Sequence, residues 1–135
     1  MKEVRVTQKA IIFNEEGKFL IMRRTGTAPA SPNKWDFPGG ELDFGEDTTN
    51  GIVREIREEC ELDVNDIKLF DIESHINEKG DFWVTVAYTA RARSNEIKLS
   101  FEHNKFRWVS AEDFLKLESL GKLRRFAKKL ISNKF

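Results

Sequence analysis

The stretch from Pro38 to Leu62, PGGELDFGEDTTNGIVREIREECEL, constrains the fold more than any other. It joins two adjacent glycines and a turn-rich loop to a segment with helical period. With Glu55 as the zero of a helical wheel, Glu58 falls at about −60° and Glu59 at about +40°. Ile52, Ile56, Cys60 and Val53 fall between about +60° and +160°, a stripe that a core would cover. One face must therefore be buried while a neighbouring arc carries three carboxylates. Asp47 or Thr48 can N-cap this helix, and the period ends at about Cys60. Gly51 falls at about −40°, on the acids' own face. A glycine inside a helix costs roughly 1 kcal/mol against alanine, so something is expected to approach the helix there.

Carboxylates at this spacing repel by about 0.3 kcal/mol per exposed pair, and by more in a cleft where water screens less. A divalent cation would remove the conflict, and hard carboxylate oxygens suit Mg²⁺ or Mn²⁺. Acidic helices threaded with arginines also occur as plain solvated surfaces. The preceding loop favours a site, because adjacent glycines let backbone groups come close to a ligand.

The rest of the chain bounds the class. Its 135 residues suit one domain over residues 1–135. Lys+Arg and Asp+Glu both count 23, which argues against a coat for a nucleic-acid polymer. Cys60 is the only cysteine, so an intrachain disulfide is excluded and a cysteine metal site is not expected. No apolar run reaches the length of a membrane span. The start MKEVRVTQKAIIF is charged and then alternating, unlike a signal peptide, so a soluble cytoplasmic protein is expected. VRVTQKAIIF and KFLIMRR read as strands around the turn NEEG, and residues 25–34 read as a loop. IKLFDIESHI and FWVTVAYTARA read as a long hairpin, and IKLS and KFRWVS as short strands flanking the loop FEHN. Ser110 and Asp113 resemble a capping box opening the short helix AEDFLKLE. A last helix, KLRRFAKKLI, places Leu123, Phe126, Ala127, Leu130 and Ile131 on one face. Together these make a mixed α/β domain.

Gly40, Glu46, Arg54, Glu55, Ile56, Glu58, Glu59 and Leu62 resemble the Nudix box, the signature of the Nudix hydrolases. The family pattern is glycine, five residues, glutamate, seven residues, then Arg-Glu-apolar-x-Glu-Glu-x-Gly-apolar. Glu61 departs from it, standing where the family has glycine at the helix end. The order of FLIMRR, NKWDFPGG, the hairpin and FRWVS is similar to the MutT-like branch. This resemblance implies an α/β/α sandwich with a mixed β-sheet and the box as a loop-helix-loop. It implies hydrolysis of a nucleoside diphosphate linked to another group, with Mg²⁺ or Mn²⁺. By position, Glu55, Glu58 and Glu59 would hold the metal with the Gly39 carbonyl, Arg54 would orient Glu55, and Glu46 would brace the loop. Glu102 matches a further acid used as ligand or base in some members, although it also fits a solvated loop acid. His103 beside it could assist, although a lone loop histidine is more often a bystander.

Arg23 or Arg24 would contact phosphate through charge-assisted bonds, or both are only solvated strand-end residues, and Gly40 would bring backbone close to the substrate. Trp35 and Phe37 would either line a base-stacking surface or belong to the core. The compact length and MutT-like order point to a (d)NTP, cleaved to NMP and pyrophosphate. A nucleotide sugar or other diphosphate, and a non-catalytic nucleotide sensor, stand as alternatives. No Asn or Gln lies between Trp108 and Leu130, which argues against a guanine-specific enzyme. The expected partner is a small-molecule nucleotide, with no membrane, and a monomer or a homodimer are both left open.

Overall fold

Ala10, Ile11 and Ile12 are all fully buried, because strand β1 (Val4–Phe13) is covered on both faces. The computed structural model describes residues 3–133; the first and last two residues, including the start of the amino-terminal stretch, lie outside it. Alternate residues of β1 serve different layers. Ala10 and Ile12 cluster with Ile52, Ile56 and Cys60 of helix α1 (Thr48–Cys60). Ile11 clusters with residues of helices α2 (Ala111–Phe114) and α3 (Gly121–Asn133). The sheet thus lies between α1 and the α2–α3 pair, which is the expected sandwich.

The sheet is mixed. β1 runs parallel to β6 (Phe82–Ala92), in register from Val4↔Phe82 to Phe13↔Arg91. β6 pairs antiparallel with β5 (Val64–Ile76), the expected hairpin with an earlier start. β1 and β2 (Phe19–Arg24) join through Phe13↔Phe19 and then part. Residues 35–41 fill the gap. β3 (Trp35–Asp36) pairs with Met22 and Arg23 of β2, and β4 (Gly39–Glu41) pairs with Thr7, Gln8 and Lys9 of β1. Phe37 pins this segment from within the core, its ring 5.5 Å from Phe19 and 5.1 Å from Phe114. Each such aromatic pair contributes about 1 kcal/mol beyond its buried area.

Four sequence expectations need correction. Strands β3 and β4 were not anticipated, because two or three residues carry no period and their ladders come from tertiary neighbours. Residues 97–100 form no strand. Ile97 and Leu99 do pack on the α1 side, but the backbone turns to the helix end: Lys98 N–H donates to the Cys60 carbonyl and Ser100 N–H to that of Glu59. Strand β7 (His103–Val109) starts earlier than expected, so His103 belongs to it rather than to a loop. Helix α2 stops at Phe114, with Ser110 Oγ accepting from the Asp113 N–H at 3.1 Å.

Helix α1 has the expected limits. Asp47 caps it, accepting from the Asn50 N–H at 3.1 Å. The close approach inferred at Gly51 is real: a Cβ there would lie 2.8 Å from Gln8 Oε1 and 2.9 Å from Leu42 Cδ1. At the other end Glu61 adopts the left-handed conformation, φ 53° and ψ 30°, and its N–H donates to the Arg57 carbonyl. A side chain in that conformation costs about 1 kcal/mol that glycine avoids. Glu61→Gly is therefore expected to stabilise the fold by about 1 kcal/mol, read as a rise in thermal midpoint.

Candidate active site

Arg54 organises the acidic face of α1. Its Nε donates to Glu46 Oε2 at 2.6 Å and its Nη2 to Glu46 Oε1 at 2.9 Å. Nη1 donates to Glu58 Oε2 at 3.1 Å, and Nη2 lies 3.2 Å from Glu55 Oε1 and 3.4 Å from Asp43 Oδ2. Two parallel bonds to one carboxylate are a guanidinium's strongest contact. They hold the Glu46 carboxyl at about 2, helped by the Asp43 N–H, and raise Arg54 itself. Arg57, by contrast, pairs with exposed Asp63.

Glu55 and Glu59 turn toward the glycine segment. A Cβ on Gly40 would lie 2.5 Å from Glu55 Oε2, so only glycine lets this carboxylate rest on the backbone. Burial raises the Glu55 carboxyl, Arg54 opposes the rise, and the Glu58 charge adds to it. Gly39, at φ 141°, donates its N–H to Glu59 Oε1 at 2.6 Å; a side chain there would run into the Gln8 carbonyl. Burial pushes Glu59 up to about 8 against the pull of Lys9 and the Gly39 N–H, and Glu55 adds to the rise.

Behind the glycine segment lies a cavity of about 690 Å³, lined by Lys9, Arg24, Asp36, Glu73, Trp83 and Lys122 among others. Asp36 is enclosed at its floor, 3.0 Å from Lys9 Nζ and 3.4 Å from Arg24 Nη1. Burial disfavours the Asp36 carboxylate, but these cations outweigh it and lower its pKa. Burial also depresses the Lys122 amine to about 8. Lys9 links cavity and helix, since its charge acts on both Glu55 and Glu59. A second cavity of about 680 Å³ lies near Phe13, Lys68 and Lys129; neither cavity has an α1 acid in its lining, and only the first includes Lys9.

The expected residues divide accordingly. Glu46, Arg54, Glu55 and Glu58 form one network, and Gly39 and Glu59 are bonded to each other. Arg24 faces the cavity and also donates to the Ala30 carbonyl at 2.8 Å. Arg23 instead props the loop through Asn33. Glu102 is exposed on a turn whose carbonyl accepts from the Thr25 N–H at 3.2 Å. Trp35 and Phe37 are core residues, which removes the base-stacking alternative. Sequence reasoning missed Lys9, Asp36, Glu73 and Lys122. Lys9 left a trace, a charge inside the strand QKAIIF. His103, expected in a loop, lies in β7 with its side chain fully buried and Nδ1 3.9 Å from Glu59 Oε2. Burial lowers that imidazole to about 4.

Among the described residues, no three His, Cys, Asp or Glu groups converge on one point. Glu58 is drawn to Arg54 and Glu59 to the Gly39 N–H. The donor chemistry still fits a hard divalent cation: three carboxylates share one turn, and burial first, then neighbouring like charges, raise Glu55 and Glu59.

Residues 4–133 match the family model of the NUDIX domain. The MutT protein of Methanosarcina mazei Go1 superposes with a TM-score of 0.83 at 28% identity, over 99% of this chain and 98% of that one. The MutT NUDIX hydrolase from Burkholderia pseudomallei gives 0.81 at 28% identity, over 95% and 98%. In sequence, 71 residues are 35% identical to the 8-oxo-dGTP diphosphatase of Escherichia coli (strain K12), covering 53% of this chain and 54% of that protein. This chain thus spans about half the length of that curated relative.

Glu59 makes stability depend on pH. Its carboxyl stands at about 8 when folded against an ordinary 4.5, so the folded state holds the extra proton. That contribution is full below pH 4.5 and is lost as pH rises through 8. Thermal midpoints measured across this window should fall in the wild type relative to Glu59→Gln, whereas parallel curves would contradict the assignment.

Proposed function

The chain belongs to the NUDIX domain family, and on that premise we propose that it is a metal-dependent hydrolase of a nucleoside diphosphate linked to another group. The preferred substrate is a (d)NTP, cleaved to NMP and pyrophosphate. The observation that carries this reading is the complete set of α1 carboxylates, oriented by Arg54 and the two glycines; Lys9, whose charge acts on Glu55 and Glu59, also lines a nucleotide-sized cavity. A sensor domain has no need of all these carboxylates.

Glu55, Glu58 and Glu59, with the Gly39 carbonyl, would hold Mg²⁺ or Mn²⁺. The bound cation supplies charge neutralisation at the phosphoryl oxygens and lowers the pKa of water. Arg54 keeps Glu55 over Gly40, and Glu46 keeps Arg54 in place through two bonds. Glu55, raised by burial, is suited to take the proton from the attacking water. Glu102, open to solvent, is the weaker candidate for that role. Arg24 supplies a cation for the phosphate chain and shares Asp36 with Lys9. The substrate is a small molecule taken into the cavity. Among the described residues no helix is long and apolar enough to cross a membrane.

A panel of nucleotides incubated with Mg²⁺ tests the reading. NMP and pyrophosphate from a (d)NTP are expected, with Glu58→Gln slower by about 100-fold or more, the equivalent of several kcal/mol of metal stabilisation. Equal release by wild type and variant would sink the enzymatic reading. Turnover confined to a nucleotide sugar or another diphosphate would replace the proposed substrate.

A further inference from the structure

His103 is a buried polar side chain that the proposed reaction leaves without a task. It is fully enclosed, and among the described residues neither ring nitrogen has a hydrogen-bond partner. Enclosing an imidazole N–H without an acceptor lowers stability, and folds rarely leave such a group unmatched. Its position is nonetheless fixed by backbone. His103 pairs with Arg24 across β7 and β2, and its N–H donates to the Ser100 carbonyl at 3.3 Å. The Ser100 N–H donates in turn to the Glu59 carbonyl at 2.9 Å. This relay brings the imidazole to the last turn of α1, where Nδ1 lies 3.9 Å from Glu59 Oε2. The other oxygen, Oε1, already accepts the Gly39 N–H. A shift of about 1 Å would bring Nδ1 into bonding range of Oε2.

We infer that His103 is a positioning residue, donating its Nδ1–H to Glu59 Oε2 and, together with the Gly39 N–H, fixing the direction in which that carboxylate faces a divalent cation. The inference rests on the function proposed above. A carboxylate has about four lone-pair sites, so two donors leave capacity for a metal ion. Donors placed behind a ligand in this way fix its orientation and strengthen metal binding.

The test is Mn²⁺ affinity, followed by electron paramagnetic resonance on the intact protein without substrate. His103→Leu fills the space but offers no donor, and His103→Asn puts an amide N–H close to the place of Nδ1. Leu should weaken Mn²⁺ binding about 10-fold, while Asn stays within about 3-fold of wild type. The Leu variant should melt no lower than wild type, since an unmatched polar group has been removed. Wild-type affinity in the Leu variant would overturn the inference and leave the proposed function standing. An Asn variant as weak as Leu would also overturn it, because shape rather than the donor would then be what matters. Absence of Mn²⁺ binding by the wild type would overturn the proposed function itself.

Discussion

The gap between β1 and β2 must be filled by a backbone able to lie closer than any side chain allows. Residues 35–41 fill it, and Gly39 and Gly40 are the point of closest approach. A Cβ on Gly39 would meet the Gln8 carbonyl and part β4 from β1; a Cβ on Gly40 would displace the Glu55 carboxylate. The filling segment is anchored at one end by Phe37 in the aromatic cluster and at the seam by the Lys9–Asp36 ion pair. Removing one partner from a buried pair of this kind typically costs about 3–5 kcal/mol. Core, seam and candidate site therefore stand or fall together.

On this frame the carboxylates are held in unequal states. Arg54 spends its best geometry on Glu46, which it keeps ionised down to about 2, and reaches Glu58 across one turn. Glu55 is nearer the backbone, and Glu59 is buried enough to stand at about 8. One guanidinium cannot satisfy four acids, and Lys9 is committed to Asp36. The helix is thus short of positive charge on the side that faces Gly39 and Gly40, where a divalent cation would supply it.

Much of this was legible in the sequence, for identifiable reasons. The thirteen-residue α1 and the β5–β6 hairpin announce themselves through sustained period. Even the burial of Glu59 could be read from the wheel, since at about +40° it borders the apolar stripe that begins with Ile52. Residues 97–100 show the limit of pattern reading. Alternating Ile97 and Leu99 report one-sided burial, but the backbone satisfies the end of a helix rather than a sheet ladder. His103 and Asp36 were out of reach because their burial depends on partners distant in sequence, α1 in one case and β1 in the other. Glu61 was legible as an anomaly, and its left-handed backbone keeps the helix end where glycine would have put it.

The proposed activity depends on whether the α1 carboxylates take up a divalent cation beside the glycine segment. The most direct measurement is anomalous diffraction at the manganese edge from crystals grown with Mn²⁺ and a non-hydrolysable nucleoside triphosphate analogue. A peak is expected among Glu55, Glu58 and Glu59 next to Gly39, with Glu58 released from Arg54. Nucleotide bound in the cavity with no peak there, and Glu58 still bonded to Arg54, would contradict the proposed activity.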